Sequence, residues 1–297
     1  MSRPLEGLTT QSPPSGAAQA HNSNRVIDAE AFRAFEKTGW DKRAASYCQF
    51  FTAVSERNVA PLLDAAELGA GNRLLDAGCG PGNLAAAAAT RGVSVVGTDL
   101  SQVMVALARS RHPELEFRQA DAERLPFPDG TFDAVVANLL IPHLPRPEAA
   151  VAELARVLKP AGRLAVSMWD RPERSRLVGV IWDAIAEVGA PPPPGIPPGP
   201  PPFRYSDEDE LAGLLRSAGL MNVRLRRIGF SHPVSTGEEV WKAWTEGSVR
   251  TASSVMGQPA PVQRRIRAAF DRRVGVYATD RGLSVPVSFL VASGHKP

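Results

Sequence analysis

Leu74-Leu75-Asp76-Ala77-Gly78-Cys79-Gly80-Pro81-Gly82 is the stretch on which the fold of this chain turns. Arg73 to Ala77 has the length and apolar content of a short buried strand, and the alanine-rich run from Asn83 to about Arg91 reads as a helix. Between them, Gly78, Gly80 and Gly82 form a G-x-G-x-G turn. Glycine allows the backbone to turn tightly and a ligand to approach without a Cβ in the way. Taken alone the turn is ambiguous, because several classes of nucleotide-binding loop use it.

Downstream, strand-like and helix-like segments alternate. Val93 to Thr98 reads as a second strand ending at Asp99, and Ser101 as the cap of a helix running to about Arg111, before Pro113. Leu115 to Gln119 and Phe132 to Ala137 read as the third and fourth strands. Pro147 to Leu158 reads as a helix ended by Lys159-Pro160-Ala161-Gly162, and Arg163 to Trp169 as the fifth strand. Such alternation predicts an α/β fold with a parallel sheet covered on both faces. Ligands of these sheets bind beyond the carboxyl ends of the strands, where the chain order switches.

The flanks are less regular. Residues 1–24 are polar and rich in Pro, Ser and Gly, which predicts a disordered tail, and 25–68 read as a helical cap in which Gly39 separates two helices. Residues 69–170 form the ligand-binding core. In 171–205 a helix from Glu173 to Val188 precedes nine prolines in 191–202, a polyproline segment that acts as a lid or as a spacer. In 206–297, Ser206 with Asp209 resembles a capping box opening a helix that ends at Gly219. A strand over Val223–Phe230, helical stretches over Glu238–Met256 and Pro261–Tyr277, and a closing strand over Val285–Ala292 complete the chain.

Composition narrows the function. The 297 residues are 43% hydrophobic and 22% charged, with a formal net charge of +3. That charge is small and scattered, unlike the footprint of a nucleic-acid-binding protein. No apolar run approaches the roughly 20 residues of a membrane span, and there is no apolar signal core, so the expected location is cytoplasmic. Cys48 and Cys79 suit a reducing compartment, and no His, Cys and carboxylate group has metal-ligand spacing. The expected partner is therefore a small-molecule acceptor, with no metal, nucleic acid or membrane, on a monomer or homodimer.

The residues around the glycine turn discriminate among nucleotide ligands. A dinucleotide loop wants a small third residue where this chain has Asn83. Asp76, at the end of the first strand, would repel a pyrophosphate and attract a cationic amino-acid group such as the methionine end of S-adenosylmethionine (SAM). Asp99 closes the second strand 21 residues beyond Gly78, where a carboxylate can accept from both ribose hydroxyls. Asp121 follows the third strand, where it can accept from an adenine amino group. A lone aspartate is more often a cap or turn residue. Three acids at the ends of three successive strands form a pattern.

The motifs LLDAGCGPG (74–82), VVGTDLS (95–101), QADAERLPFPDGTFDAVVAN (119–138) and ELARVLKPAGRL (153–164) occur in that order. In them the chain resembles the class I SAM-dependent methyltransferases, in the small-molecule type 11 group related to the quinone-biosynthesis C-methyltransferases. The resemblance is strong over about a third of the chain and loose in the flanks. It implies a Rossmann-like seven-stranded sheet, mostly parallel with the last strand antiparallel. It also implies that Asp76, Ala77, Gly78 and Gly80 line the methionine end of SAM. Asp99 would hold the ribose, Leu100 and Met104 would pack near the adenine, and Asp121 and Ala122 would read its edge. Asn138 would sit beside the transferred methyl, and Tyr47 would close over the cofactor.

His143, in the loop after the fourth strand, is the candidate general base, since imidazole exchanges protons near neutral pH. Trp169, Tyr205 and the pair Trp241 and Trp244 are candidates for stacking on the acceptor, although each also reads as a packing residue. These features suggest a tailoring enzyme of bacterial secondary metabolism or antibiotic biosynthesis, acting on an aromatic or heteroaromatic, for example indole-like, intermediate. Carbon is the preferred acceptor atom, with nitrogen and oxygen open. The rival readings are a SAM-binding enzyme of another reaction such as cyclisation, a nicotinamide oxidoreductase, and a non-catalytic module on the same fold.

Overall fold

The computed structural model describes residues 27–297. The tail expected over 1–24 lies outside the described residues. The chain begins with α1 (Ala29–Ser55), whose first turn is capped by the Asp28 carboxylate accepting from the Glu30 and Ala31 N–H groups. A single 3₁₀ turn, Glu56–Asn58, leads into α2 (Val59–Ala65). The break expected at Gly39 does not occur: α1 is one helix of 27 residues. Gly39 serves packing instead. A Cβ there would lie 2.3 Å from Cγ1 of Val249. Glycine costs a helix interior only about 1 kcal/mol, which such close packing offsets.

The core then follows as β1 (Arg73–Ala77), α3 (Asn83–Ala89), β2 (Ser94–Asp99), α4 (Gln102–Arg111), β3 (Glu116–Gln119), β4 (Phe132–Ala137), α5 (Pro147–Arg156) and β5 (Leu158–Trp169). Ser101 caps α4, its Oγ accepting from the Met104 N–H at 3.1 Å. Lys159 to Gly162 lies within β5 rather than capping α5, which already ends at Arg156. There Ala161 takes φ +61° and the register against β4 shifts between Phe132 and Ala134. The expected helix stop is thus a bulge in the sheet.

The second half contains α6 (Arg176–Val188), α7 (Glu208–Ser217), β6 (Met221–Val234), α8 (Gly237–Glu246), α9 (Arg250–Met256), α10 (Ala260–Gly275), a two-residue β7 (Ala278–Thr279) and β8 (Gly282–His295). The cap of α7 is Asp207, accepting from the Asp209 and Glu210 N–H groups, and not Ser206. The single helix expected over 238–256 is two helices. Gly247 ends α8, and Ser248 Oγ bridges the break by donating to Trp244 O at 2.6 Å and accepting from the Ala252 N–H. The last two long strands extend well past their expected ends, pairing antiparallel from Met221 opposite His295 to Val234 opposite Leu283. Pro233 and Pro286 both lie within these strands and are tolerated. β6 is an edge, and β8 pairs with β5 only from Phe289 onward, so neither missing N–H breaks a ladder.

The strand order is β3-β2-β1-β4-β5-β8-β6, with β7 paired to β8. Strands β3 to β5 run parallel, and β8 is antiparallel to both neighbours. The chain moves outward from β1 to β3 and returns to place β4 on the other side of β1. This switch point opens a crevice at the carboxyl ends of β1 and β4. Separate apolar cores on the two sides of the sheet, centred on Leu154 and Phe132 and on Leu74 and Phe117, hold the strand ends in place. A third, which includes Trp169, Trp244 and Phe289, joins the inserted helices to α1.

Candidate active site

One large cavity lies over the carboxyl ends of β1, β2 and β4, roofed by α1 and by the α8–α9 junction. Its floor is the glycine turn. Gly78 and Gly80 adopt φ of +72° and +52°, and a Cβ on Gly78 would come within 2.9 Å of Leu140 Cδ1. Both the positive φ and the close approach therefore require glycine at 78. Asn83 donates from Nδ2 to Glu56, which ties α3 to the N-terminal helices.

Asp76 and Ala77 are buried at the end of β1 and do not reach the cavity wall. Neither carboxylate oxygen of Asp76 has a hydrogen-bond partner among the described residues. Burial, reinforced by the charge of Asp99, raises its pKa to about 7, and the nearby Ala85 N–H offsets little of this. Asp99 is on the wall. Its Oδ2 accepts from the Gly80 N–H at 2.9 Å and its Oδ1 from the Ser101 N–H at 2.8 Å. These bonds fix the carboxylate and leave one lone pair on each oxygen. Burial raises the Asp99 pKa despite both bonds.

Leu100, Met104, Asp121 and Ala122 line the same end of the cavity. Asp121 already has partners: Oδ1 accepts from the Glu123 N–H at 2.9 Å, and Oδ2 lies 2.6 Å from Arg33 Nε. Arg33 also pairs with Glu123 at 2.8 Å, so α1 is clamped onto the loop after β3. Asn138 also lines the cavity. Its Oδ1 accepts from Ser167 Oγ at 2.7 Å and its Nδ2 donates to Ser55 O at 3.1 Å. The next residue, Leu139, takes φ +58° and donates its N–H to the same Ser167 Oγ.

His143 stands on the cavity wall in a single 3₁₀ turn, Ile141–His143. Its Nδ1 is 3.1 Å from Oε2 of Glu36, a carboxylate on α1 that is 1% exposed. The Trp40 ring meets the imidazole edge-on at 5.0 Å. With one ring nitrogen held by the carboxylate, the other is left as the exchangeable position, the arrangement a general base needs.

The remaining wall is aromatic. Tyr47 packs edge-on against Trp40 at 5.4 Å and stacks on Phe51 at 5.7 Å. Trp169 and Trp244 face the cavity, and Trp244 spends its N–H on Leu177 O at 2.8 Å, so it presents an apolar face. Trp241 does not share that placement. It packs against Phe270 and under Arg267, because three residues along α8 rotate it toward α10. Tyr205 is also off the cavity, buried with its hydroxyl donating to Glu148 at 2.8 Å. Phe203, two positions earlier, occupies the wall instead. The polyproline segment is pinned rather than free: Gln258 donates to Pro191 O, Arg250 donates to Pro200 O, and a Cβ on Gly199 would overlap the Phe32 ring.

Sequence reasoning missed Arg33, Glu36, Trp40 and Arg250. The signal for the first three was present. Glu36, Trp40, Tyr47 and Phe51 fall within a narrow arc of one helix at 100° per residue. Breaking the helix at Gly39 hid that arc. Among the described residues no group of three or more His, Cys, Asp or Glu side chains is placed to hold a metal ion, and no helix is long and apolar enough to cross a membrane.

Comparison with known proteins identifies the family. A family described as "Methyltransferase domain" matches residues 75–166. A demethylmenaquinone methyltransferase of Beutenbergia cavernae is 34% identical over 174 residues, which is 56% of this chain and 72% of that protein. The chain belongs to the class I SAM-dependent small-molecule methyltransferases. Solved structures share the fold of this methyltransferase. The YcgJ protein of Bacillus subtilis superposes with a TM-score of 0.55 at 22% identity, covering 81% of this chain and 98% of that one. A Haemonchus contortus phosphoethanolamine N-methyltransferase, solved with phosphomonomethylethanolamine and S-adenosylhomocysteine, gives 0.53 at 16% identity, covering 90% of this chain and 60% of that one. The methyltransferase uses SAM as its methyl donor.

Proposed function

We propose that this methyltransferase alkylates a small aromatic or heteroaromatic acceptor, with the Glu36–His143 pair as the proton-accepting group. The observation that carries the reading is the 3.1 Å contact between His143 Nδ1 and a buried carboxylate, on the wall of an aromatic cavity that also includes the glycine turn.

The residues present suit SAM. Asp76, buried at the end of β1 below the glycine turn, contributes negative charge that suits its ammonium group from behind the wall, and the free lone pairs of Asp99 match its ribose diol. Leu100, Met104 and Ala122 provide an apolar seat for adenine, and Asp121 keeps a lone pair beside its Arg33 contact for the adenine amino group. When bound, SAM supplies an activated methyl group on a sulfonium. Tyr47, Trp40 and Phe51 cover the cavity from α1 and exclude water, and Asn138 is held rigid at the β4 end by Ser167 and Ser55. Alignment and exclusion of water can supply much of such a displacement's acceleration.

The proton balance follows from the pair. His143 takes a proton from an acceptor hydroxyl or N–H, and Glu36 stabilises the resulting imidazolium through Nδ1. The acceptor, made electron-rich by that proton loss, would then be held by the aromatic wall facing the methyl group that SAM would supply. Where a ring carbon is methylated, that carbon's own proton passes to water and His143 returns its proton to the acceptor oxygen or nitrogen, which restores aromaticity. Carbon remains the preferred acceptor atom, in keeping with the demethylmenaquinone methyltransferase relative.

The test is turnover of the full chain with SAM and a panel of phenols, hydroquinones, indoles and their hydroxyl-free analogues, read by S-adenosylhomocysteine release and product mass. Methylated aromatic product from proton-bearing acceptors, lost in His143→Ala with S-adenosylhomocysteine binding intact, is the expected result. Full turnover by His143→Ala would remove the base from the mechanism.

A further inference from the structure

Two polar groups on the cavity wall have no task in binding SAM. The first is the carboxylate of Glu36, a lining residue whose Oε1 is itself buried and without a hydrogen-bond partner among the described residues, while Oε2 holds His143. The second is Arg250, the first residue of α9. Arg250 lines the cavity, and its guanidinium donates one hydrogen bond to Pro200 O at 2.9 Å and lies 5.3 Å from the Phe32 ring centroid. It makes no ion pair among the described residues, whereas Arg33, Arg146, Arg156, Arg176 and Arg227 each reach a carboxylate. Burial lowers the Arg250 pKa, and the charge of Glu36, which lies beyond ion-pair distance, offsets this only in part. A guanidinium carries five donors, so most of those on Arg250 remain for a ligand. Arg250 is half-buried, and leaving a partly desolvated charge without a counter-charge is costly.

Building on the methyl-transfer reading, the geometry points to an acceptor that is an aromatic carboxylic acid, with its carboxylate on Arg250 and its proton-bearing edge toward Glu36 and His143. Trp40, Trp169, Trp182, Phe203 and Trp244 line the same cavity as these two poles, and an aromatic lining suits a flat ring. The anion is a monovalent planar one for two reasons. Arg33, another arginine on the wall, is committed to Asp121 and Glu123, so among the described residues no second free arginine or lysine lines the cavity to meet a dianion. Glu36 is also close enough to disfavour the extra charge of a phosphate. A planar carboxylate matches the guanidinium fork with two parallel hydrogen bonds.

The test uses the full chain, with and without S-adenosylhomocysteine, titrated by tryptophan fluorescence or calorimetry with 2-naphthoate, 2-naphthamide and 2-naphthyl phosphate. The carboxylate should bind saturably and at least about ten-fold more tightly than the amide, as expected for charge-assisted hydrogen bonds in a partly desolvated site. Arg250→Gln should erase that preference and Arg250→Lys should keep part of it, with S-adenosylhomocysteine affinity unchanged in both. Should Arg250→Gln fail to fold by thermal denaturation, the acid-to-amide ratio in Arg250→Lys decides. Equal binding of acid and amide, tighter binding of the phosphate, an unchanged preference in Arg250→Gln, or no saturable binding of 2-naphthoate at millimolar concentration overturns the assignment. Failure of the wild type to bind S-adenosylhomocysteine would instead strike the methyl-transfer reading. The acid-to-amide ratio without the nucleoside would still decide the role of Arg250.

Discussion

Replacing Asp76 by asparagine should stabilise the ligand-free protein at alkaline pH while weakening its hold on the methyl donor. Asp76 is 1% exposed, both its oxygens lack hydrogen-bond partners among the described residues, and its pKa is raised from 3.8 to about 7. A carboxylate whose folded pKa lies above its unfolded value contributes stability that is fully present below the unfolded pKa. That contribution is lost as the pH rises through the folded pKa. The window is therefore about pH 4 to 7, and a shift of about three units corresponds to roughly 4 kcal/mol. Asparagine does not titrate, so the variant should overtake the wild type as the pH rises. Between pH 5 and pH 8 the stability gap should widen by about 3 kcal/mol, or roughly 5 °C in Tm for a chain of this size. Asp99 is coupled to Asp76, so the observed step belongs to the pair. Calorimetric melting of both proteins at pH 5, 6, 7 and 8 measures the gap, and titration with S-adenosylhomocysteine at pH 8 measures the functional cost, expected to be about ten-fold or more. A gap that is constant with pH, or one that favours the wild type more at pH 8, would refute the burial argument.

Three further outcomes follow from particular contacts. Glu36→Gln keeps the shape beside His143 but removes the charge 3.1 Å away; turnover should fall about 10- to 100-fold, with S-adenosylhomocysteine affinity held within about two-fold, and steady-state kinetics with calorimetry check both. Gly78→Ala must adopt φ +72° and place a Cβ 2.9 Å from Leu140, so it should cost about 1–3 kcal/mol in denaturant unfolding, and the second change Leu140→Ala should recover the steric part. Tyr205→Phe removes a hydrogen bond to Glu148 away from the cavity; stability should drop by about 1 kcal/mol while kcat/KM stays the same, and a selective loss of activity would show that Tyr205 reaches the acceptor after all.

The nucleotide-binding half was legible in the sequence because its determinants are local. A glycine turn, strand-ending acids and apolar runs of fixed length each act within a few residues, and Asp76, Asp99, Ser101 and Asp121 all stand at the element ends their sequence positions implied. The acceptor half was not legible. Its wall is assembled from α1, the loop after β4, the polyproline segment and the α8–α9 junction, which come together only through long-range packing. The glycine at 39 looked like a helix break because intrinsic propensity is all that a sequence exposes; Val249, more than two hundred residues away, is what makes it a packing site. With the helix restored, Glu36 and Tyr47 share a face, and a histidine of uncertain role acquires a buried carboxylate partner. Likewise Trp241 and Trp244 are equivalent by spacing, and only the packing of α8 between α1 and α10 sends one to the cavity and the other away. Sequence by itself determined the sheet and the methyl-donor end, where chemistry follows the chain. The tertiary structure decided the Glu36–His143 contact and the aromatic wall of the cavity, because side chains remote in sequence meet there only after the apolar faces have been buried.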